Sequence, residues 1–407
     1  MEIEFNGNLI SYIISYISYN GQHNYYVDRW LYNTFVLKIN HTMKLIYSLM
    51  TAAVMVLCGA SCSKSIDVKH PGGTFRNTNG IYYWKTVFRC DSAEQEFLRR
   101  HRIGKIYMRM FDVIKNTNLE YTFMKGDYVI PNATVKIGTD EYYMMSDPKK
   151  LAKEEIVPVV YITLDALVAM QGYEAVLAKN IVTRVNNMCM YNDLPNVKEI
   201  QLDCDWTAST QDSFFKLCRE VDRAANQEQQ LNWRLSSTIR LHQLSRKAPP
   251  VDYGVLMVYN TGDFNDPNIE NSIIDENDVK PYLKHLSKYR LYLDIAYPTY
   301  SWQLLYQAGK FAGILSNVNV SDTTLFRKTR AHTYVAKKDI PYNNTKILRG
   351  DIVREEISEY KNILRVKELI EEKMGDRPHN NILYHLDITN LSKFTDNEID
   401  NLYSTSR

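Results

Sequence analysis

From residue 81 onward, short apolar runs rich in β-branched and aromatic residues alternate with stretches that have the hydrophobic period of a helix. The predicted strands are residues 81–88, 105–113, 156–164, 197–205, 232–241, 254–260, 290–297 and 381–388. The predicted helices are residues 92–101, 173–191, 210–226, 276–288, 302–311 and 353–374. Eight strands with helices between them predict an α/β fold, a single-domain (β/α)8 barrel over residues 80–407, with excursions at 114–155 and 316–351. An open doubly wound sheet is the alternative, but no G-x-G-x-x-G follows the first strand.

Alternation within the strands predicts which side chains face the barrel interior. In six strands one set is apolar, as a helix-facing set must be, and the opposite set is polar or aromatic. The predicted inward set is Tyr107, Arg109, Phe111, Tyr161, Thr163, Asp165, Gln201, Asp203, Asp205, Ser236, Thr238, Arg240, His242, Tyr292, Asp294, His385 and Asp387. Because unpaired buried charges are costly, we expect a wet cleft in which carboxylates pair with Arg109, Arg240 and His242. A structural salt-bridge network inside the barrel is the alternative.

Composition adds little beyond tyrosine. The net charge is +2, so no strong field favours nucleic acid. The 30 tyrosines suit sugar recognition, since tyrosine has an apolar face and a polar tip, although an AT-rich genome explains them equally well. The six cysteines form no C-x-x-C pair and no Cys/His cluster, so we expect no metal and no cofactor. A monomer is expected.

The segment before the predicted barrel has the order of a signal peptide. Met43 and Lys44 precede an apolar run that is too short to span a membrane, and small residues then lead to Cys62. We therefore predict an upstream extension at 1–42, a signal peptide at 43–61 and a tether at 62–79. A buried core helix, or a signal peptide cut elsewhere, is the alternative.

The small residues before Cys62 resemble the bacterial lipobox, with Gly59 standing where that pattern prefers Leu. The resemblance implies cleavage before Cys62 and lipidation of its thiol. It thus implies a lipoprotein of the cell envelope, held at a membrane, most simply the outer membrane.

The fourth predicted strand holds the densest chemical signal, Asp203 and Asp205. Two carboxylates two residues apart on a strand point the same way. Like charges that close raise the pKa of one of them, which prepares an acid or a proton shuttle. Metal binding and a paired structural site are the other uses of such a pair.

This strand resembles the D-x-D-x-E motif of chitinase-type glycoside hydrolases. Asp203 and Asp205 match its two aspartates, and Trp206 matches the Trp that often precedes the Glu. Thr207 stands where the family has its general acid, and Ile200 replaces the earlier Asp of the longer motif.

The sixth strand carries a second partial match, residues 257–260, which resembles the family's M-x-Y-D. Tyr259 is retained and Asn260 replaces the Asp. In the family this Tyr supports the acetamido group of the substrate, which acts as the nucleophile. The chain also resembles uncharacterised bacterial lipoproteins that have a glycosidase-like barrel.

Thr207 cannot protonate a glycosidic oxygen, and loss of a general acid typically costs about 10²–10⁴ in rate. The hypothesis is a glycoside hydrolase-like barrel acting on an extracytoplasmic glycan, with Asp205 as the acid and Asp203 as its partner. The alternative is a catalytically silent lipoprotein that binds a glycan or a protein. The candidate substrate-binding residues are Tyr259, Arg240, His242, Arg109, Asp387 and Tyr297, and the second-line acids are Asp165, Asp263, Asp294 and Asp387.

Overall fold

The computed structural model describes residues 77–86, 88, 90–115, 129–132, 153–194, 196–343 and 345–405. Eight parallel strands form a closed barrel, in which the first strand pairs with both the second and the last. In chain order these are β1 (Asn79–Tyr83), β2 (Ile103–Lys115), β4 (Glu155–Ile162), β5 (Glu199–Asp203), β6 (Arg234–Arg240), β7 (Tyr253–Met257), β8 (Leu293–Pro298) and β16 (Asn381–Tyr384). A short strand β3 (Val129–Asn132) pairs antiparallel with β2. The (β/α)8 prediction is confirmed.

Helices follow most barrel strands and cover the outside of the barrel. They are α1 (Ser92–Arg100), α2 (Leu164–Ala169), α3 (Glu174–Tyr191), α4 (Gln211–Asp222), α5 (Glu276–Leu283), α6 (Tyr360–Met374), α7 (Ile388–Leu391) and α8 (Asp396–Tyr403). Short polar side chains start several of them. Asp91 and Thr395 each form a capping box, and Thr163 caps α2. Among the described helices, none combines the length and apolarity needed to cross a bilayer.

A separate antiparallel sheet is inserted between β8 and α6. We call it the inserted sheet; its strands are β9 (Ser301–Gln307), β10 (Lys310–Leu315), β11 (Phe326–Arg330), β12 (Thr333–Ala336) and β15 (Ile352–Ile357), in the order β10-β9-β15-β12-β11. A hairpin, β13 (Ile340–Tyr342) and β14 (Thr345–Ile347), joins it. Leu305, Phe326 and Val353 belong to its own apolar core.

The inserted sheet overturns two predicted helix positions. The helix at 302–311 is wrong, because Ala308 and Gly309 both have positive φ and form a two-residue hairpin turn between β9 and β10. The helix at 353–374 begins only at Tyr360, because its first part is strand β15. The second excursion is therefore longer than predicted and is folded.

Two apolar clusters meet at the barrel wall. The larger lies between the strands and the helices and includes Ile200, Leu202 and Cys204 of the fourth barrel strand and its continuation. The smaller fills the barrel interior with residues such as Val157 and Val255. Residues 1–76, with the predicted extension, signal peptide, Cys62 and most of the tether, lie outside the described residues, as do 116–128 and 133–152 of the first excursion.

Candidate active site at the barrel mouth

The barrel interior has a charged layer where the strands begin, which we call the base. Glu199 is fully buried and accepts hydrogen bonds from Ser236 Oγ (2.6 Å), the Tyr253 hydroxyl (2.6 Å) and Lys105 Nζ (3.0 Å). Arg234 Nη2 lies 3.4 Å from the same carboxylate. These charges satisfy one another, as in the structural network that the sequence left open as an alternative.

Asp294 also belongs to the base. Its carboxylate accepts hydrogen bonds from the backbone and side-chain nitrogens of Asn380 at 2.8–3.3 Å. Burial raises the pKa of Asp294 above its usual value, and these hydrogen bonds oppose the rise. As a second-line acid it is misplaced, because the substrate side of such a barrel is the opposite end.

The opposite end, where the strands finish, is the mouth. Asp203 lies there at the end of β5, is 3% exposed, and accepts hydrogen bonds from Thr238 Oγ1 (2.6 Å) and Arg240 Nη2 (2.7 Å). Burial alone would lower the pKa of Arg240, but the Asp203 carboxylate outweighs it and raises that pKa above its usual value. Arg240 Nη1 has no hydrogen-bond partner among the described residues. A charged pair thus stands at the mouth, where the Arg240 side chain is 22% exposed.

Asp205 follows β5 and reaches the surface. Its side chain is 53% exposed, and its carboxylate lies 3.4 Å from His242 Nε2. The buried Gln243 keeps this pair together, because it donates to the carbonyl oxygens of Cys204 and Trp206 while accepting from the Arg240 amide. Asp203 and Asp205 therefore take different partners, Arg240 and His242, rather than each other.

Thr207, the residue at the position of the family's general acid, forms hydrogen bonds with its neighbours in the chain. The Thr207 amide donates to Thr210 Oγ1 (2.9 Å), and the Thr207 and Ser209 hydroxyls are 3.0 Å apart, where α4 begins. Trp206 is fully buried against Phe214 and Phe215 of α4. Trp206 therefore packs the barrel wall and does not face the mouth.

Four aromatic side chains, which we call the aromatic wall, surround the mouth: Trp84, Tyr259, Tyr300 and Tyr384. Each is partly exposed. Tyr259 stacks on Tyr384 with 4.6 Å between ring centroids, and Tyr300 meets both edge-on at about 6 Å. The Tyr300 hydroxyl donates to Asn260 Oδ1 at 2.5 Å. Burial raises the pKa of Tyr259, Tyr300 and Tyr384, so these hydroxyls stay neutral.

Arg109 completes the mouth beside Trp84. Its guanidinium lies 5.3 Å from the Trp84 ring and donates from Nε to Asp112 Oδ1 at 2.8 Å. The strand register shifts between Arg109 and Phe111. This bulge turns Phe111 into the helix-facing core, against the predicted alternation, and gives Arg109 a partner that the sequence did not reveal.

Two predicted site residues are placed differently. Tyr297 is fully buried in the core between barrel and helices, on the same face of β8 as Ile295, so it does not reach the mouth. Asp387 caps α7 by accepting from the Thr389 amide (3.0 Å) and Asn390 Nδ2 (2.8 Å). On the last strand the predicted faces were reversed, because Tyr384 points inward.

Two other second-line acids lie off the strands. Asp165 is in the first turn of α2, and Asp263 is exposed in the loop after β7 and accepts from the Asn265 amide. The described residues contain no group of three or more His, Cys, Asp or Glu side chains placed to hold a metal ion.

No protein-family model matches the chain, and no curated protein matches it. Solved structures of similar fold include the Bacillus cereus spore cortex-lytic enzyme SleL, at 12% identity and a TM-score of 0.47, covering 82% of this chain and 76% of that one. A Group II chitinase catalytic domain from Ostrinia furnacalis has 10% identity and a TM-score of 0.47, with 81% and 96% covered. The GH18 chitinase from Cycas revoluta has 11% identity and a TM-score of 0.47, with 80% and 99% covered. What these proteins share with the chain is the barrel fold.

Proposed function

We propose that the protein binds a glycan at the mouth of its barrel. The observation that carries the proposal is the combination of a partly exposed aromatic wall with the Asp203–Arg240 pair beside it. Sugar rings have apolar faces that pack on aromatic rings and hydroxyls that need fixed donors and acceptors. The Arg240 side chain, which is 22% exposed, and the hydroxyls of the partly exposed tyrosines offer such polar groups.

The test compares two tyrosines. Tyr300→Ala removes one member of the aromatic wall, whereas Tyr191→Ala removes a ring that is 77% exposed on α3, far from the mouth in the fold. Binding of the full-length protein to a panel of soluble polysaccharides is measured by titration calorimetry. Tyr300→Ala should weaken binding about tenfold and Tyr191→Ala should leave it unchanged. Equal affinities for the wild type and Tyr300→Ala would refute the mouth as the site.

Hydrolysis of the bound glycan is a second candidate, favoured by one observation. Asp205 is exposed, and His242 stands 3.4 Å away to exchange a proton with it. Asp203 is less suited to this task because Arg240 and Thr238 hold its carboxylate.

Release of reducing ends from the polysaccharides tests hydrolysis. Asp205→Asn should abolish turnover while the glycan still binds, and Asp212→Asn, at the start of α4, should leave turnover unchanged. If no polysaccharide is cleaved by the wild type and all are bound, the protein is a binding protein without this activity.

We also propose that the chain is exported and anchored at a membrane through Cys62. The small residues before Cys62 and the apolar run before them support this. Cys62→Ser should move the protein from the membrane fraction to the soluble fraction of fractionated cells. An unchanged membrane fraction would contradict the anchor.

A further inference from the structure

The part of the inserted sheet that precedes β15 has a charge unlike that of the rest of the chain. Residues 301–351 contain eight Lys or Arg and three Asp, a net charge of +5, although the whole chain carries only +2. The remaining residues are therefore net negative. Such a one-sided distribution creates a local positive field that a balanced surface lacks.

Five of these cations form a group that we call the basic edge: Arg327, Lys328, Lys337, Lys338 and Arg349. All five are exposed. Backbone contacts bring their segments side by side, since the Lys337 amide donates to the Leu325 carbonyl (2.8 Å) and the Gly350 amide to the Ala336 carbonyl (2.9 Å). The neighbouring segments lie at strand spacing of about 5 Å, less than a Debye length of about 8 Å, with Arg327 and Lys328 on opposite faces of β11.

No ion pair neutralises the basic edge within the described residues, since none of the salt bridges there involves its members. The three acids of residues 301–351 form hydrogen bonds instead, although the charge of Lys338 adds to the Thr324 hydrogen bonds that lower the pKa of Asp322. Asp322 accepts from Thr324, Asp339 from the Arg349 amide, and Asp351 from Gln307 and the Leu348 amide.

Protection of a sheet edge explains only part of this charge. β11 is an edge strand, and lysine on an edge strand discourages pairing with other chains. Lys337, Lys338 and Arg349 lie outside β11, so edge protection does not require them.

The basic edge stands beside the mouth at a distance that a polymer can span. β9 begins directly after Tyr300 of the aromatic wall, and one row of paired residues runs from Tyr306 through Ile352 and Val335 to Arg327. Five residues along β9 and three strand spacings across the sheet separate the wall from Arg327 by about 20 Å.

We propose that the basic edge binds an anionic glycan polymer, one part of which occupies the mouth. The proposal rests on the proposed function, and it adds the substrate class: a polymer long enough to span both sites, with acidic groups along its length. Complementary charge on the polymer would add ion pairs that these five cations do not form with carboxylates of the described residues.

Polygalacturonate and its fully methyl-esterified form are the probes, because they share a backbone and the ester removes the charge of each carboxylate while adding a methyl group. Wild-type protein should bind the charged polymer more tightly, and the difference should shrink as salt is raised from 50 to 500 mM because salt screens exposed charges. Equal affinity for the two polymers would overturn the proposal.

A triple variant, Arg327→Gln, Lys337→Gln and Arg349→Gln, removes three members of the basic edge. It should weaken binding of polygalacturonate about tenfold and leave binding of a short galacturonate disaccharide unchanged, because the disaccharide cannot reach from the mouth. Loss of affinity for both ligands, or for neither, would contradict the proposal.

A matched control removes the same charge from the barrel: Lys179→Gln, Lys247→Gln and Lys284→Gln. All three lysines are exposed. The control should bind polygalacturonate like the wild type. A tenfold loss of affinity in the control would mean that the net charge of the protein, and not the basic edge, determines binding.

Two further measurements separate this inference from the proposed function. If Tyr300→Ala binds both polymers like the wild type while the triple variant fails, the mouth proposal is wrong and the basic edge stands alone as a polyanion site. Binding to phosphatidylcholine vesicles with 30% phosphatidylglycerol serves as the other arm. If the triple variant lost vesicle binding but still bound polygalacturonate like the wild type, that result would assign the basic edge to a membrane surface and overturn the inference.

Discussion

At the base of the barrel, Glu199 is fully buried and accepts three hydrogen bonds, whereas at the mouth Asp205 is 53% exposed and has His242 beside it. Both carboxylates lie on the same strand or its continuation. A buried carboxylate without partners would cost several kcal/mol, so every hydrogen-bond and charge partner of Glu199 has to come from the protein itself. Asp205 is solvated by water and needs no such protein partners, so its carboxylate is available to a ligand.

The largest effect is expected at the base. Glu199→Ala should lower the free energy of unfolding by about 3 kcal/mol, because the buried Ser236 and Tyr253 hydroxyls would lose their acceptor and Lys105 would keep only the more distant Glu155 as a counter-charge. Urea unfolding followed by circular dichroism measures the loss.

Glu96→Ala is the control for this variant, since Glu96 pairs with Arg99 and Arg100 on the exposed side of α1. Its unfolding midpoint should match that of the wild type. A small loss of unfolding free energy in Glu199→Ala would mean that water reaches the base. The base and the mouth would then not differ in how well their carboxylates are solvated.

Asp203→Asn should have an intermediate effect on stability, a loss of about 1–3 kcal/mol. Arg240 would lose its counter-charge but is still 22% exposed, so water compensates part of the loss. Unlike Glu199→Ala, this variant should also weaken glycan binding in calorimetry. If the variant loses stability but binds the glycan normally, Asp203 has a structural role like that of the base network and no role in binding.

The sequence predicted the barrel and much of its interior because alternation along a strand is a local property. On β5 and β6 it correctly placed Gln201, Asp203, Ser236, Thr238 and Arg240 inward, as their mutual hydrogen bonds demonstrate. It could not separate base from mouth, since both ends present the same polar pattern. Position along the strand, with the first inward residue at the base and the last at the mouth, is the signal that would have divided them.

The errors arose where tertiary structure breaks local regularity. The bulge in β2 reversed Phe111, and the inserted sheet made strands of residues that have helix-compatible spacing. The prediction for Tyr297 was wrong, because its position on β8 places the ring with Ile295 in the core although its aromatic character suits a binding site. Tyr384 was predicted to face the helices because it falls in the same set of alternate residues as the apolar Leu386 and Ile388. Its ring instead packs against the cluster inside the barrel.

A smaller effect concerns pH at the mouth. Burial lowers the pKa of His385 from its ordinary value near 6.5, so the folded state binds fewer protons there than the unfolded state. The stability that neutral His385 contributes is complete above pH 6.5 and is lost as the pH falls through the lowered pKa. The wild type should therefore lose more stability than His385→Gln between pH 7.5 and pH 5, as urea midpoints at several pH values would reveal. Parallel curves for the two proteins would contradict a buried, uncharged His385.

The smallest expected change in stability is that of Asp205→Asn, below about 0.5 kcal/mol. Its side chain is solvated, and an amide in its place leaves no buried charge unpaired, because His242 is itself 41% exposed. The same substitution should remove any hydrolytic activity, so function and stability would separate completely at this residue. Glu199→Ala offers the opposite result, with stability lost and the mouth intact in the folded fraction. If Asp205→Asn instead lowered the urea midpoint as Glu199→Ala does, Asp205 would be a structural carboxylate and not a solvated acid of the mouth.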